Sequence, residues 1–330
     1  MSLPVTVYRW DDPGAPQFSN RSAADWINIL RKCLVDGYGN KAPAGWSVAF
    51  DNSVNDEIAF RTASDVPGYP GGFLKMRSKY QDGRSNDTIY IQTAPLITQI
   101  DPDWNTTPGA SYLYAFGGSS YPDKWIVLAT SLAFYILTSS TQYPYMAMGT
   151  RDNPTFGVGS LDSCYLNDVN GFGIFGKASS DNASGNYQFS IGYIYDGHEV
   201  GRYGEVTGAD TRKRHELIFP LGNLFNSSTA APGVGSPNPV YGKFVVGLDG
   251  YHPTQVTTEY QDSQGIPFVN SVLQPPIRGT WPGILVSSSS AYSDQLWPVT
   301  KEIFGQQHYL VPNPHNGGCS YWINAEVWYE

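Results

Sequence analysis

One segment near the N-terminus has the apolar spacing of an amphipathic helix. Between Ser22 and Asp36, apolar side chains recur at intervals of three and four residues, which places them on one helical face. These side chains are Ala23, Trp26, Ile27, Leu30, Cys33 and Leu34. Ser22 and Asp25 form an Asp variant of the capping box, and Gly37 is a residue that ends helices. We predict a helix over Ser22–Asp36 that packs on a sheet through this face, with a partner-binding helix as the alternative.

Most other apolar segments have the pattern of strands. Apolar side chains alternate over 46–50 and are followed by a short run at 58–62, which predicts a hairpin. The most apolar segment, Trp125–Leu137, has 13 residues, too few for a membrane helix of roughly 20. Its β-branched and aromatic residues predict two half-buried strands that are joined tightly at 129–131.

The strand pattern continues to the end of the chain. Further strands are predicted at 88–92, 187–191, from 241 onward, and in the closing segment, where Tyr321, Ile323, Ala325, Val327 and Tyr329 alternate with the other face. Pro and Gly over 101–109 indicate a boundary or a long loop, and the Ser/Pro/Gly-rich run 227–239 predicts an exposed loop.

The fold class predicted from these elements is mainly β. Residues 1–100 form a predicted α+β docking module with one amphipathic helix, and residues 101–330 form a β-rich domain, an antiparallel β-sandwich or a barrel-like unit. The second unit is either separate or continuous with the first. A chain of 330 residues is long enough for both arrangements.

Composition narrows the partners that this fold can have. Charged residues make up 15% of the chain, below the roughly 25% of ordinary soluble domains, and Tyr (23), Phe (15) and Trp (9) are abundant. Such a neutral, aromatic surface favours protein–protein interfaces. The net charge of −9 disfavours nucleic acid, because phosphate binding needs a positive field that the short basic run 212–215 does not supply. No membrane insertion is expected.

Motifs for catalysis, metals and cofactors are not found in the sequence. Cys33, Cys164 and Cys319 are too far apart for a zinc pattern, and the histidines lack metal-ligand spacing, although His308 and His315 are free to converge in space. The segment 168–171 resembles part of a calcium loop but lacks its end ligands, so we interpret it as a turn. We predict no catalytic, cofactor-binding or metal-binding residue.

A carbohydrate function leaves no local pattern and stays open. Glycosidases use paired carboxylates from distant parts of a chain, and aromatic rings stack on sugars. The candidates for a glycan groove are Trp104, Tyr112, Tyr114, Trp281 and Trp297. The competing interpretation is that these aromatic residues belong to the β-core and to interfaces.

The N-terminal segments resemble a group of tailed-bacteriophage proteins. The opening VYRWDDPGAPQ, the segment INILRKCLVDGYGNKAPAGWSVAF and Ile58–Arg61 are similar to their "VYR..D.GAP" start, "CLV.GYG.KA..GW...F" core and "AFR" strand. The resemblance is specific over about residues 7–61. It is weaker afterwards, with a strand pair at 125–137, a turn at 278–283 and a strand at 307–311, and the middle third departs from it.

This resemblance implies a virion component that is encoded among head and tail genes, and it brings no catalytic residue. The expectation is a non-enzymatic structural subunit of the tail or baseplate, made in the bacterial cytoplasm and located in the virion. Its expected partners are other virion proteins and copies of itself in a homo-oligomer. The alternatives are a head-decoration or collar protein, and a carbohydrate-binding receptor protein or tail-borne glycan hydrolase.

Overall fold

The computed structural model is mainly β and contains several antiparallel sheets. It describes residues 2–52, 57–78, 89–98, 100, 111–113, 122–142, 144–146, 155–165, 168, 171–175, 201–202, 214–215, 217–218, 241–247, 260–261, 267–268, 277–287, 292, 295–312 and 320–329. The predicted strand at 187–191 and the predicted loop at 227–239 lie outside these residues. No helix in the described part of the chain is long and apolar enough to cross a membrane.

The described residues contain one α-helix and a series of short strands. The helix is α1 (Ala23–Arg31), followed by a π-helical turn (Lys32–Asp36). The strands are β1 (Leu3–Pro4), β2 (Thr6–Arg9), β3 (Ser47–Asn52), β4 (Glu57–Arg61), β5 (Phe73–Ser78), β6 (Ile89–Ala94), β7 (Ser111–Leu113), β8 (Lys124–Ala129), β9 (Ala133–Ser139), β10 (Phe156–Ser160), β11 (Asp162–Ser163), β12 (Phe172–Phe175), β13 (Gly201–Arg202), β14 (Arg214–His215), β15 (Leu217–Ile218), β16 (Tyr241–Gly247), β17 (Tyr260–Gln261), β18 (Pro267–Phe268), β19 (Ile277–Ser287), β20 (Thr300–Ile303), β21 (Gln306–Leu310), β22 (Ser320–Asn324) and β23 (Val327–Trp328).

Three sheets contain most of these strands. The central sheet has the order β14-β13-β12-β10-β9-β8-β2, and the N-terminal sheet has the order β3-β4-β5-β6-β7. The C-terminal sheet has the order β15-β16-β19-β22-β21-β20, with β11 also paired to β19. Two small pairs, β1-β23 and β17-β18, complete the described strands.

The helix confirms the capping prediction and corrects the end of the element. The Ser22 hydroxyl accepts the Asp25 N–H, and the Asp25 carboxylate accepts the Ser22 N–H, as a capping box requires. The α-helical part ends at Arg31, and the last five residues of the predicted helix form the π-helical turn, which Gly37 ends with φ 76°. The apolar face is buried in a core shared with the N-terminal and central sheets, so the predicted packing is confirmed.

The central sheet is buried on both faces. In β9, Phe134 and Ile136 point into the core shared with α1 and the N-terminal sheet. Tyr135 and Leu137, between and beyond them, point into the core shared with the C-terminal sheet. The two predicted strands and their tight connection are confirmed, but the half-buried surface was wrong, because a layer covers each side of β8 and β9.

Elements from both sides of residue 100 share the central sheet and its core. Strand β2 pairs with β8, with Thr6 opposite Ala129 and Arg9 opposite Ile126. The core around α1 combines Tyr8 with residues of β4 to β6, of β8 to β10 and of β12. The division near residue 100 stays a prediction, and a cut there would separate paired strands.

Residues of the N-terminal segments that resemble tailed-phage proteins cover the outer edge of β2. Among the described strands, β2 is the last of the central sheet, so its far edge has no neighbouring strand. Lys41 donates its Nζ to the Val7 carbonyl at 2.9 Å, and Tyr38 donates its hydroxyl to the Asp12 carboxylate at 2.9 Å beside it. The Asp12 carboxylate also accepts the Arg9 N–H at 2.8 Å. These side chains cover an edge that otherwise invites pairing with another chain.

The predicted closing strand is two strands. The Asn324 Oδ1 accepts the N–H groups of Glu326 (2.7 Å) and Val327 (3.1 Å), which turns the chain between β22 and β23. Strand β22 joins the C-terminal sheet, whereas β23 pairs with β1, with Leu3 opposite Trp328. Tyr321 to Ile323 are fully buried, so both faces of β22 are covered there.

Candidate functional site

A cavity lies where β19 departs from regular pairing. Strand β16 pairs Lys243 with Leu285 but Val245 with Thr280, so one residue of β16 lies opposite four of β19. On the other side of β19, β11 pairs with its beginning and β22 with its end. Residues 281–283 therefore have no ladder partner among the described strands, and the backbone bulges there.

A rigid residue, Pro282, followed by a flexible one, Gly283, produces this bulge. Pro282 has no N–H to donate to a ladder, and Gly283 has φ 68°, in the left-handed region. A Cβ at Gly283 would lie 2.0 Å from Cδ1 of Trp328, so a side chain does not fit. Tyr135 of the central sheet donates its hydroxyl to the Pro282 carbonyl at 2.8 Å. The predicted turn at 278–283 was wrong, because Pro-Gly bulges a continuous strand here without reversing the chain.

The lining of the cavity combines aromatic rings with polar groups. Its volume is about 360 Å³, at the lower end of the 300–1,000 Å³ of small-molecule sites. The aromatic lining residues are Tyr241, Trp281, Phe304, Trp328 and Tyr329. The polar lining residues are Asp162, Lys243, Thr280, Gln306, His308 and Asn324. Asp162 and Lys243 supply one negative and one positive charge, so the described lining has no net charge while His308 is neutral.

Trp281 contributes a buried aromatic ring to the lining of the cavity. Its side chain is 1% exposed, and its ring stacks on Phe244 with centroids 4.1 Å apart and planes at 5°. Its indole N–H has no acceptor among the described residues. A buried donor without a partner costs about 1–3 kcal/mol. The nitrogen is closed to solvent, so Trp281 contributes the surface of its ring to the cavity.

Phe304 stands at the tip of the β20–β21 hairpin, at the edge of the cavity. Ile303 pairs with Gln306, so the loop consists of Phe304 and Gly305, with φ 53° and 79°. Two positive φ values are typical of a type I′ turn, in which Asn-Gly is favoured and a bulky residue costs about 1–2 kcal/mol. The Phe304 ring is 78% exposed and meets Tyr241 edge-on, with centroids 5.9 Å apart. Neither the turn nor the core needs an aromatic ring at this position.

Polar side chains of β21 and β22 line another part of the cavity in a fixed arrangement. Asn324 donates its amide to the Gln306 Oε1 while its own oxygen holds the turn to β23. The His308 Nδ1 lies 2.9 Å from the Gln306 carbonyl oxygen, and since a carbonyl only accepts, Nδ1 carries the proton. Burial lowers the pKa of His308, so the ring is neutral at pH 7 and Nε2 is an acceptor.

A buried ion pair fixes the strand that brings Asp162 to the cavity. Asp162 lies in β11, opposite Thr280 of β19. Just before that pairing, Arg278 donates Nε to Oδ2 of Asp168 at 2.8 Å and Nη2 to Oδ1 at 2.7 Å. Ser163 adds a hydroxyl hydrogen bond to the same carboxylate at 2.9 Å. Both charged side chains are buried, and together with the Ser163 hydroxyl of β11 they connect β11 to β19 from within the protein.

A second surface feature is an exposed apolar pair, which we call the apolar bridge. Tyr145 and Leu296 form an isolated antiparallel bridge, so their side chains lie next to each other on one side. They are 51% and 61% exposed. Trp297, the next residue, is buried and packs on Trp10 with ring centroids 4.9 Å apart.

The five residues predicted for a glycan groove are placed differently. Trp281 lines the cavity, whereas Trp297 lies behind the apolar bridge. Tyr112 belongs to β7 of the N-terminal sheet, and Trp104 and Tyr114 lie outside the described residues. Of the described candidates, the structure therefore assigns only Trp281 to the cavity.

Candidates for metal and thiol chemistry are dispersed. In the described part of the chain, no three potential metal ligands come together. Cys33 is buried, and burial raises the pKa of its thiol, whereas Cys164 is exposed; Cys319 and His315 lie outside the described residues. The turn predicted at 168–171 is confirmed by a 3.0 Å hydrogen bond from the Gly171 N–H to the Asp168 carbonyl.

Sequence analysis missed Phe304 as a site residue. In the dipeptide Phe304-Gly305, the glycine is a turn signal, which fits its φ of 79°. The signal was the aromatic residue in the turn position where Asn is favoured, between two runs of strand pattern. Asp162 and Asn324 gave no such signal, because only the bulge in β19 brings them to one cavity.

Comparison with known proteins assigns no family to the chain. No protein-family model matches the chain. No curated protein matches it either. The arguments for a function therefore come from the residues and contacts described above.

Proposed function

We propose that the protein is a structural subunit of a tailed-phage virion, in the tail or baseplate, and that it works through protein–protein interfaces. The N-terminal resemblance to tailed-phage proteins supports this proposal. The residues of that resemblance cover the edge of β2 and form the core around α1. Their roles in this fold are structural, which suits a family without a catalytic motif.

The apolar bridge is the observation that carries the interface. Two large apolar side chains lie next to each other and are exposed, and the residue after Leu296, Trp297, is anchored in the interior on Trp10. Exposed apolar side chains that lie together and are held rigidly favour association with another protein, whereas single exposed ones need no explanation. The low proportion of charged residues, 15%, supports the same function, since interface centres are depleted in charge.

The proposed partners are other virion proteins and copies of the same chain in a homo-oligomer. The protein is made in the bacterial cytoplasm and ends in the particle. A position in the collar or as a head decoration is the alternative within this class, because the same surfaces serve there. Cryo-electron microscopy of the particle distinguishes these positions.

Mass spectrometry of purified particles tests the proposal. We expect peptides of this chain in particles banded on a density gradient, at a constant ratio to known tail proteins. Presence in infected-cell cytosol together with absence from the particles would show that the proposal is wrong.

Substitution of Leu296 by Asp tests the apolar bridge. We expect incorporation of the variant into particles to fall at least about tenfold, since a charge buried in an interface costs several kcal/mol. The matched control is Thr300→Asp, an exposed position on the edge strand β20. Equal incorporation of both variants would refute the role of the apolar bridge.

A further inference from the structure

We propose that the cavity at the β19 bulge binds a neutral carbohydrate of one or two sugar units, with the exposed Phe304 ring stacked on a sugar face. This site is independent of the virion proposal, because it rests on other residues. Sugars offer apolar C–H faces and a rim of hydroxyl groups. The cavity can contact both, because its lining contains aromatic rings as well as polar groups.

The aromatic residues match the faces of a sugar. Phe304 holds a 78% exposed ring in a backbone conformation that phenylalanine disfavours. Tyr241 meets it edge-on and gives it a fixed neighbour. A planar, exposed and supported ring is the surface on which a pyranose stacks.

The polar residues match the hydroxyl groups of a sugar. The described lining holds both acceptors and donors, on Asp162, Lys243, Gln306 and Asn324. Asp162 accepts hydrogen bonds, Lys243 donates them, and the Gln306 amide offers donors while its oxygen is held by Asn324. Hydroxyl groups both donate and accept, so they suit a lining of this mixed kind.

The balance of charge selects a neutral sugar. Asp162 is the one carboxylate and Lys243 the one ammonium group among the described lining residues. A sialic acid or a phosphorylated sugar would need an excess of positive charge, and an apolar ligand would leave the polar lining unsatisfied. Glycosidases use a pair of carboxylates about 5–10 Å apart, so the described lining favours binding without cleavage.

Binding is tested on the full chain by ligand-observed NMR and isothermal titration. The probes are glucose, galactose and N-acetylglucosamine, their β-linked disaccharides, and sialic acid. We expect at least one neutral probe to bind with Kd near about 1 mM or tighter, and sialic acid not to bind. No binding of any neutral probe, or preferential binding of sialic acid, would overturn the proposal.

Three variants locate the site. Phe304→Asn creates the favoured Asn-Gly turn, so we expect a higher melting temperature together with at least about tenfold weaker binding. Trp281→Phe removes one ring from the lining, and we expect binding to weaken at least about threefold, while circular dichroism checks that the fold is retained. The control Leu296→Asn removes an exposed apolar side chain outside the cavity and should leave binding unchanged.

The outcomes separate sugar from other occupants. Binding that is unchanged in Phe304→Asn and Trp281→Phe places the ligand elsewhere and refutes the site. A side chain of another virion protein filling the cavity in a particle reconstruction would also refute it. Release of sugar from a bound disaccharide would contradict binding without cleavage.

Discussion

Asp168→Asn tests how much the buried ion pair with Arg278 contributes to stability. The substitution keeps the size of the side chain but removes the charge that compensates the guanidinium group, which is fully buried. It also replaces an oxygen that accepts from Arg278 at 2.7 or 2.8 Å. Removal of one partner of a buried pair costs about 3–5 kcal/mol. We expect Asp168→Asn to lower the free energy of unfolding by that amount, a large fraction of the typical total of about 5–15 kcal/mol.

The chain contains a matched control for this experiment. Arg9 and Asp11 make the same two-pronged contact, with Nε–Oδ1 and Nη2–Oδ2 distances of 2.8 Å each. The Asp11 side chain is 47% exposed, so water screens the pair. Exposed pairs contribute about 0–1 kcal/mol, and Asp11→Asn should therefore change stability little.

Urea unfolding followed by tryptophan fluorescence measures both variants under the same conditions. We expect the two losses to differ by at least about 2 kcal/mol, because burial is the main difference between the pairs. A loss below about 1 kcal/mol for Asp168→Asn, or equal losses for both variants, would refute the argument from burial.

Three further predictions concern other described residues. We expect Gly283→Ala to lower the free energy of unfolding, measured in urea, by about 2–4 kcal/mol, because the new Cβ would lie 2.0 Å from Trp328 and φ is positive. A loss below about 1 kcal/mol would contradict the bulge geometry. Burial lowers the pKa of His308 in the folded state, so the unfolded chain binds a proton more readily. We therefore expect the free energy of unfolding to fall as pH drops below about 6.5, the ordinary pKa of an unfolded histidine, and to fall less in His308→Gln. Maleimide should label exposed Cys164 but not buried Cys33 in the native protein, as peptide mapping can verify.

Local patterns in the sequence predicted the local elements well. The capping box at Ser22, the hairpin of β3 and β4, and the strands on both sides of the 129–131 connection all depend on neighbouring residues, and the structure confirms them. The alternation in β3 is interrupted, because a bulge between Val48 and Phe50 sends these two side chains into different cores. One extra residue in a strand leaves no sign in the apolar pattern.

Features that depend on distant partners could not be predicted. Burial of both faces of β9 requires knowledge of the C-terminal sheet, whose strands begin about a hundred residues later. The cavity likewise needs Asp162, Lys243 and Asn324 from three separate strands. Arg278 and Asp168 are ordinary charges in the sequence, and their contact in the folded chain helps to explain why both can be buried.

The pairing of β2 with β8 has a consequence for the order of folding on the ribosome. Thr6 pairs with Ala129, which is made 123 residues later, and at about 5–20 residues per second this takes about 6–25 seconds. Strand β1 waits longer still, since its partner Trp328 is near the other end of the sequence. The earliest strands are therefore among the last to be paired, and they need shielding from other chains during synthesis.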